Sequence, residues 1–357
     1  MKQNRIYFIH PFYHSVEDFC NYFKIPHDKY NLVWDDKNPD YVFASEWIYK
    51  EKKYYEDFLS VLNDKTINIY HAGEAMSPDM NFFDYAIVFD RNLQYDDRIV
   101  RIPAIDFFGK RLTNDFWTRC SKPDAELERK TGFCCFIYTN ANAHPMRDKL
   151  FHKLSEYKKV DALGTHLRNV DIKEKYVDEK VKRNYKFVIA SENATFKGYT
   201  SEKLLTALQA YTVPIYWGDP SIEEFFNPKR FINANNMSLD EVLETVKRID
   251  NDDKLWCKMV SEPILTKDQE QKYKHEHDEY LLFWDNLFKQ PLDKAKRLGF
   301  GTYPDMYRQF ISDLINQEEK SDIKKYFGGL VKKIKNQDKR TIEVFGIKVL
   351  SYKKTVK

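Results

Sequence analysis

The chain predicts an α/β protein made of two parallel-sheet domains that face each other across a cleft. Three observations carry this expectation. Short β-branched apolar runs alternate with helical patterns over residues 6–102. A second series of the same kind starts at Phe133, after a stretch without periodicity. Residues 185–220 read as strand, polar loop, helix and strand, a unit whose crossover is right-handed and whose strands are parallel.

In chain order, residues 6–9, 31–34, 41–44, 66–70, 85–89 and 99–102 read as strands, with helices at 16–23 and 51–62. Residues 104–132 gain charge, lose periodicity and read as an extended connection. A strand at 133–138, a helix at 145–157 and a strand at 160–163 open the second series. A loop at 164–169 and a basic, helical-looking stretch then lead to strands at 187–190 and 213–217 around a helix at 201–211. Beyond Pro220 come a loop with a short strand, a helix at 239–249, a mostly helical 252–290 and a helix at 304–317. The domains are drawn at 1–132, 133–320 and 321–357. The last helices of the second are candidates to pack back on the first, and the third segment is a basic amphipathic tail.

The 357 residues, 32% charged and 42% hydrophobic, suit a soluble globular chain with two cores. Aromatic side chains are abundant, with 26 Phe, 24 Tyr and 6 Trp, and fit aromatic-rich cores or sugar-stacking surfaces. The net charge of +3 hides an asymmetry: from Lys324 onward eleven Lys/Arg face Asp338 and Glu343, leaving the tail +9 and the preceding body −6. Such a tail suits an anionic partner, a membrane surface or nucleic acid. No nucleic-acid module is recognisable, which argues against the second. Lys-rich patches with Tyr326, Phe327, Leu330, Ile334, Phe345, Ile347 and Leu350 suit a surface lying on anionic lipid. A solvated end is the alternative.

Cys20, Cys120, Cys134, Cys135 and Cys257 form no C-x-x-C pair and fit buried thiols in a reducing compartment. Cys134 and Cys135, adjacent in an apolar run, should point to opposite faces of a strand. The opening MKQNRIYFIHPF lacks the features of a signal peptide, and no apolar run approaches the roughly 20 residues of a spanning helix. The expected location is cytoplasmic, peripheral on the inner face of the cytoplasmic membrane if the tail meets lipid.

Ligands of open parallel sheets sit beyond the carboxyl ends of the strands, where Glu192, Asn193, Tyr199, Glu202 and Lys203 fall. Thr200 or Ser201 can cap the helix that follows. Lys203 in its first turn opposes the helix dipole, which becomes sensible if an anion such as a pyrophosphate lies in front. A solvent-facing lysine is the bland alternative. Neither G-x-G-x-x-G nor a P-loop occurs. Asp250-Asn251-Asp252 spells a metal-binding D-x-D but follows a helix, so a helix-terminating turn fits better. His275 and His277 are two apart on a helix and do not share a face. His71 and His144 lie at strand ends or loops near the expected cleft, where acceptor contact and ordinary capping or packing are both open.

Glu192-Asn193, five residues, then Tyr199-Thr200-Ser201-Glu202-Lys203, then Pro214-Ile215-Tyr216-Trp217-Gly218, resembles the donor-binding signature of the α1,3-fucosyltransferases, glycosyltransferase family 10, in its bacterial type. Phe136-Ile137-Tyr138-Thr139-Asn140 through Arg147, and Gly164-Thr165-His166-Leu167-Arg168-Asn169, are similar to further family segments in the same order. Gly73-Glu74, followed by Asn81-Phe82-Phe83-Asp84-Tyr85-Ala86-Ile87, resembles the acceptor-side segment that holds the family's proposed base. The resemblance spans about residues 40–263 and is absent from the tail, which has none of the heptad repeats of some bacterial members.

It implies a GT-B type fold of two Rossmann-like α/β domains, with GDP-fucose held by the second. Arg168 and Lys203 would bind the diphosphate, and Asn193, Tyr199 and Glu202 phosphate, ribose or fucose. Thr139, Asn140 and Arg147 would complete the donor site, and Glu74 would be the catalytic base. The implied reaction is inverting transfer of L-fucose to the 3-hydroxyl of N-acetylglucosamine in a galactose–N-acetylglucosamine glycan of a bacterial surface polysaccharide. No cofactor or metal is required on this reading, a divalent ion being at most stimulatory. Another GDP-sugar or acceptor, or a non-catalytic carbohydrate-binding protein, are the alternatives.

Overall fold

The computed structural model describes residues 2–93, 97–102, 104–108, 120–172, 179–297, 299–318, 331–335, 339–344 and 347–353. The first half runs β1 (Asn4–Ile9), α1 (Val16–Phe23), β2 (Leu32–Trp34), β3 (Tyr41–Ala44), α2 (Trp47–Lys50), α3 (Lys52–Val61), β4 (Ile67–His71), β5 (Tyr85–Val88) and β6 (Ile99–Arg101). Every residue of β3, β4 and β5 is buried, as parallel strands covered on both faces require. The sheet order is β2-β1-β3-β4-β5-β6, with the pairs from β2 through β5 parallel. From β1 the chain steps outward to β2, then resumes at β3 on the other side of β1. The order therefore reverses between β1 and β3.

Next come α4 (Ala104–Phe108) and α5 (Pro123–Glu128), in what the sequence suggests is an extended connection. Pro123 opens α5, and Asp124 and Glu126 in its first turn suit the dipole, but six residues are too few for a periodic signal. Residues 109–119 of that connection, and 173–178 of the basic stretch before Tyr185, lie outside the described residues. The second series is β7 (Gly132–Phe136), α6 (Met146–Ser155), β8 (Val160–Ala162), β9 (Tyr185–Ser191), α7 (Glu202–Gln209), β10 (Val213–Trp217) and β11 (Ile232–Asn233). Its parallel sheet has the order β11-β10-β9-β7-β8. Helices α8 (Leu239–Asp250), α9 (Asp253–Ser261), α10 (Lys267–Lys289) and α11 (Thr302–Glu318) follow.

The pleat splits the second core as alternation demands. Cys134 joins Phe187, Ile189, Val213 and Ile215 in one cluster, while Cys135 joins Val188, Ala190, Leu204 and Tyr216 in another. All five cysteines are buried, and none of them is in a disulfide.

Compactness divides the chain into Met1–Ile87 with Leu287–Lys357, and Val88–Asn286. The sequence reading draws its first boundary after residue 132 instead. The segment from Val88 groups with the second unit through long-range bonds: Arg91 N–H donates to the Lys197 carbonyl, and the Arg91 and Arg101 guanidiniums pair with Glu276. The C-terminal return is anchored within the first unit. Tyr41 Oη donates to the Leu287 carbonyl at 3.0 Å, Phe288 packs on Tyr30 and Tyr41, and Arg308 donates to the Asn81 carbonyl. In the tail, β12 (Val331–Lys335), β13 (Lys339–Val344) and β14 (Ile347–Lys353) form an antiparallel meander. Tyr326, Phe327, Leu330 and Phe345 lie outside the described residues.

Candidate active site

The strand order of the second sheet reverses between β7 and β9, which places a ligand crevice at their carboxyl ends. Glu192, directly after β9, is fully buried. Its Oε1 accepts from the Ser201 N–H at 2.7 Å and its Oε2 from Ser201 Oγ at 2.6 Å. Lys203 Nζ approaches the same Oε2 at 3.3 Å and Ser201 Oγ at 3.0 Å. Burial raises the Glu192 pKa, opposed by the Lys203 charge and the Ser201 bonds. Ser201, rather than Thr200, caps α7. Thr200 Oγ1 instead donates to the buried Asp219 carboxylate at 3.2 Å. The cation that opposes the dipole of α7 is thus offset by a carboxylate the sequence does not single out for that role.

The loop into α7 is held from both sides. Gly198 has φ +100°, and a Cβ there would lie 2.1 Å from the Phe89 carbonyl oxygen, so only glycine fits. Its own carbonyl accepts from Arg101 Nη2 at 3.2 Å. Burial, followed by the Arg101 charge, lowers the Arg91 pKa to about 10 despite Glu276. Tyr199 is buried with its ring edge-on to Phe89 at 5.6 Å. At the far end of α7, buried Arg230 donates to the Thr212 and Leu208 carbonyls, a cation where the dipole favours one.

Asn193, Arg147 and Asn140 come together across the crevice. Arg147, 1% exposed, donates to Asn193 Oδ1 at 3.3 Å and to the Asn140 carbonyl at 2.5 Å, with its guanidinium 4.4 Å from the Tyr138 ring centre. The Asn193 carbonyl accepts from the His144 N–H, and the His144 ring stacks on Trp217 at 4.3 Å. Thr139 is exposed, and its carbonyl accepts from Thr165 Oγ1 at 3.3 Å. Arg168, half-buried, donates to the Gly164, Leu163 and Ile172 carbonyls of its own loop. The structure therefore gathers Lys203 with Glu192 and with Glu202, whose Oε1 lies 3.8 Å from Lys203 Nζ, and Asn140 and Arg147 with Asn193. Arg168 is fastened within the loop after β8. Glu74 belongs to the first unit, in the loop after β4; there the preceding Gly73 N–H donates to the buried Glu46 carboxylate at 3.0 Å.

Sequence reasoning passes over Glu192 as an anchor, and also Asp219 and the Arg91–Arg101–Glu276 cluster. Glu192 stands in the signature itself, but its bond to a cap nine residues on has no periodic trace. Among the described residues no three His, Cys, Asp or Glu side chains are grouped to hold a metal ion. Asp250 ends α8 and pairs with Lys158 and Lys186, and Asp252 caps α9.

Residues 127–261 match the family described as glycosyltransferase family 10 (fucosyltransferase) C-term, and residues 6–108 the α-(1,3)-fucosyltransferase FucT N-terminal domain. A putative fucosyltransferase of Acanthamoeba polyphaga mimivirus is 37% identical over 150 residues, covering 39% of this chain and 25% of the relative. An α-(1,3)-fucosyltransferase of Helicobacter pylori is 29% identical over 243 residues, covering 59% of this chain and 49% of the relative. The chain thus spans half or less of these curated relatives' length. The crystal structure of an α1,3-fucosyltransferase with GDP superposes with a TM-score of 0.64 at 23% identity, covering 84% of this chain and 93% of that one. The likeness shows the GT-B type of fold, with its two parallel-sheet α/β units.

Removing the Glu192 carboxylate leaves Lys203 and the α7 cap without their buried partner. Glu192→Ala should lower stability by about 3 kcal/mol in urea denaturation. A loss under about 0.5 kcal/mol, the range of ordinary surface changes, would show that the carboxylate does not anchor α7.

Proposed function

Because the chain belongs to glycosyltransferase family 10, the fucosyltransferases, we propose that it transfers fucose from GDP-fucose to a saccharide hydroxyl with inversion at the anomeric carbon. The observation that carries this reading is the capped start of α7 at the switch point of the second sheet, with Lys203 in its first turn. The N–H groups there and the Lys203 ammonium suit a diphosphate. Arg168 supplies a second cation to it, and Asn193, Tyr199 and Glu202 hold phosphate, ribose or fucose. Thr139, Asn140 and Arg147 line the same donor site, Arg147 by fixing Asn193.

In the reaction, Glu74 takes the proton of the acceptor hydroxyl as its oxygen bonds to the fucose anomeric carbon. The bond from that carbon to the β-phosphate oxygen breaks, and GDP leaves with the electron pair. The growing charge on GDP is met by Lys203, Arg168 and the helix start, which lets the step proceed without a general acid or metal. The finer assignment is the 3-hydroxyl of N-acetylglucosamine in a galactose–N-acetylglucosamine glycan, made for a bacterial surface polysaccharide.

The same reading places the enzyme in the cytoplasm, on the inner face of the cytoplasmic membrane. Supporting it, Tyr303, Met306 and Phe310 are 83%, 62% and 57% exposed at i, i+3 and i+7 of α11, and the strands that follow are rich in lysine. Among the described residues no helix is long and apolar enough to cross a membrane. Full-length chain should co-sediment with anionic vesicles and lose that binding in high salt or when cut after Ser321. Equal sedimentation of the cut chain would remove the tail from this role.

Two variants test the chemistry. Glu74→Gln should bind GDP-fucose as wild type does yet lose about 10²- to 10⁴-fold in transfer rate. Lys203→Ala should weaken GDP binding about tenfold or more in calorimetry, as loss of a charge-assisted contact does. Unchanged turnover in the first, or an unchanged Kd in the second, contradicts the respective role.

A further inference from the structure

The first sheet has its own switch point, between β1 and β3, and the loops leaving those two strands carry aromatic side chains. After β1, the Phe12 N–H donates to His10 Nδ1 at 3.2 Å, a bond that fixes the turn and leaves the Phe12 ring 70% exposed. After β3, Trp47 opens α2, half-buried, with its ring 6.4 Å from that of Phe12 and at 85° to it. Lys50 Nζ lies 4.8 Å from the centre of the Trp47 ring. Single exposed aromatics are ordinary; a perpendicular pair at the place where open sheets bind ligands is not.

Glu46 links this pair to the proposed base. Its residue precedes Trp47, its side chain is buried, and its Oε2 accepts from the Gly73 N–H directly before Glu74. A Cβ on Gly73 would stand 2.9 Å from Glu46 Oε1, so the two loops meet closely at this point. Lys50 Nζ also approaches Glu46 Oε1, at 3.5 Å. The loops after β1, β3 and β4 thus form one continuous edge that runs from two rings to a carboxylate.

That combination fits a sugar better than a purely apolar ligand. A pyranose has one face of C–H bonds, which stacks on aromatic rings, and a rim of hydroxyls, which needs acceptors and donors. We propose that Phe12 and Trp47 form the acceptor subsite, the exposed Phe12 ring stacking on the C–H face of a neutral pyranose and the perpendicular Trp47 ring closing its edge, so that a rim hydroxyl is directed toward the Glu74 loop. Glu46 is a positioning residue that ties that loop to the subsite. The inference rests on the reading of the chain as a fucosyltransferase, and it adds which surface selects the acceptor.

The test is saturation-transfer NMR and titration of the full chain with a panel of neutral disaccharides that includes galactose–N-acetylglucosamine. These are compared for wild type, Phe12→Ala and Trp47→Phe, with GDP-fucose binding measured alongside. A panel sugar should receive saturation on one C–H face. Phe12→Ala should weaken its binding about tenfold or more, as loss of an aromatic anchor does. Trp47→Phe, which keeps a stacking ring, should weaken it less, and GDP-fucose affinity should stay unchanged in both. Equal sugar affinity in wild type and Phe12→Ala, or no binding of any panel sugar to wild type, overturns the subsite. Sugar binding that depends on Phe12 in a chain that transfers no fucose would leave the subsite standing and remove the proposed reaction.

Discussion

A single buried carboxylate, Glu192, organises the second unit's ligand edge. It stands where β9 ends, holds the backbone and hydroxyl of the Ser201 cap, and neutralises Lys203. An unpaired carboxylate at that depth would cost several kcal/mol, which the Lys203 charge and the two Ser201 bonds offset. Their pairing leaves a cation and a helix start at one spot without the repulsion that would otherwise disfavour it. A phosphate bound there, as proposed, would meet donors that are already fixed.

The surrounding elements serve the same loop. Gly198 permits a conformation that β-carbons forbid, Arg101 holds its carbonyl, and Asp219 holds Thr200 two residues on. Arg91 and Arg101 are themselves held by Glu276 from α10, which explains why residues from Val88 onward group with the second unit. A helix late in the chain therefore stabilises a loop some 75 residues earlier, through two arginines from a still earlier segment. On the first unit the Gly73 N–H, donating to the buried Glu46 carboxylate, fastens the loop after β4 to the one after β3.

Much of the architecture is legible in the sequence because parallel strands buried on both faces leave dense apolar runs. Those at Tyr41–Ala44 and Val213–Trp217 fall where the sequence reading puts them. Helix α1 is equally clear, since Ser15, Glu17 and Asp18 mark its start. What escapes is set by distance along the chain. The division at Val88 depends on pairs such as Arg101 and Glu276, which no local pattern announces. Short helices such as Pro123–Glu128 are too brief for periodicity, and the tail's alternating lysines and β-branched residues read as amphipathic patches where the structure has strands. At the site, polar residues after each strand point to the crevice, while their bonding does not follow from type: Arg168 turns onto its own loop and Arg147 is sealed beneath Asn193.

Each parallel sheet has a switch point, and the proposed fucosyl transfer assigns the donor to one of these edges and the sugar acceptor to the other. The most direct measurement is to incubate the full chain with GDP-fucose and a panel of oligosaccharides, then read product linkage and anomeric configuration by NMR. One GDP should be released for each α-linked fucose formed. A β-linked product, or GDP-fucose that stays intact with every acceptor, would contradict it.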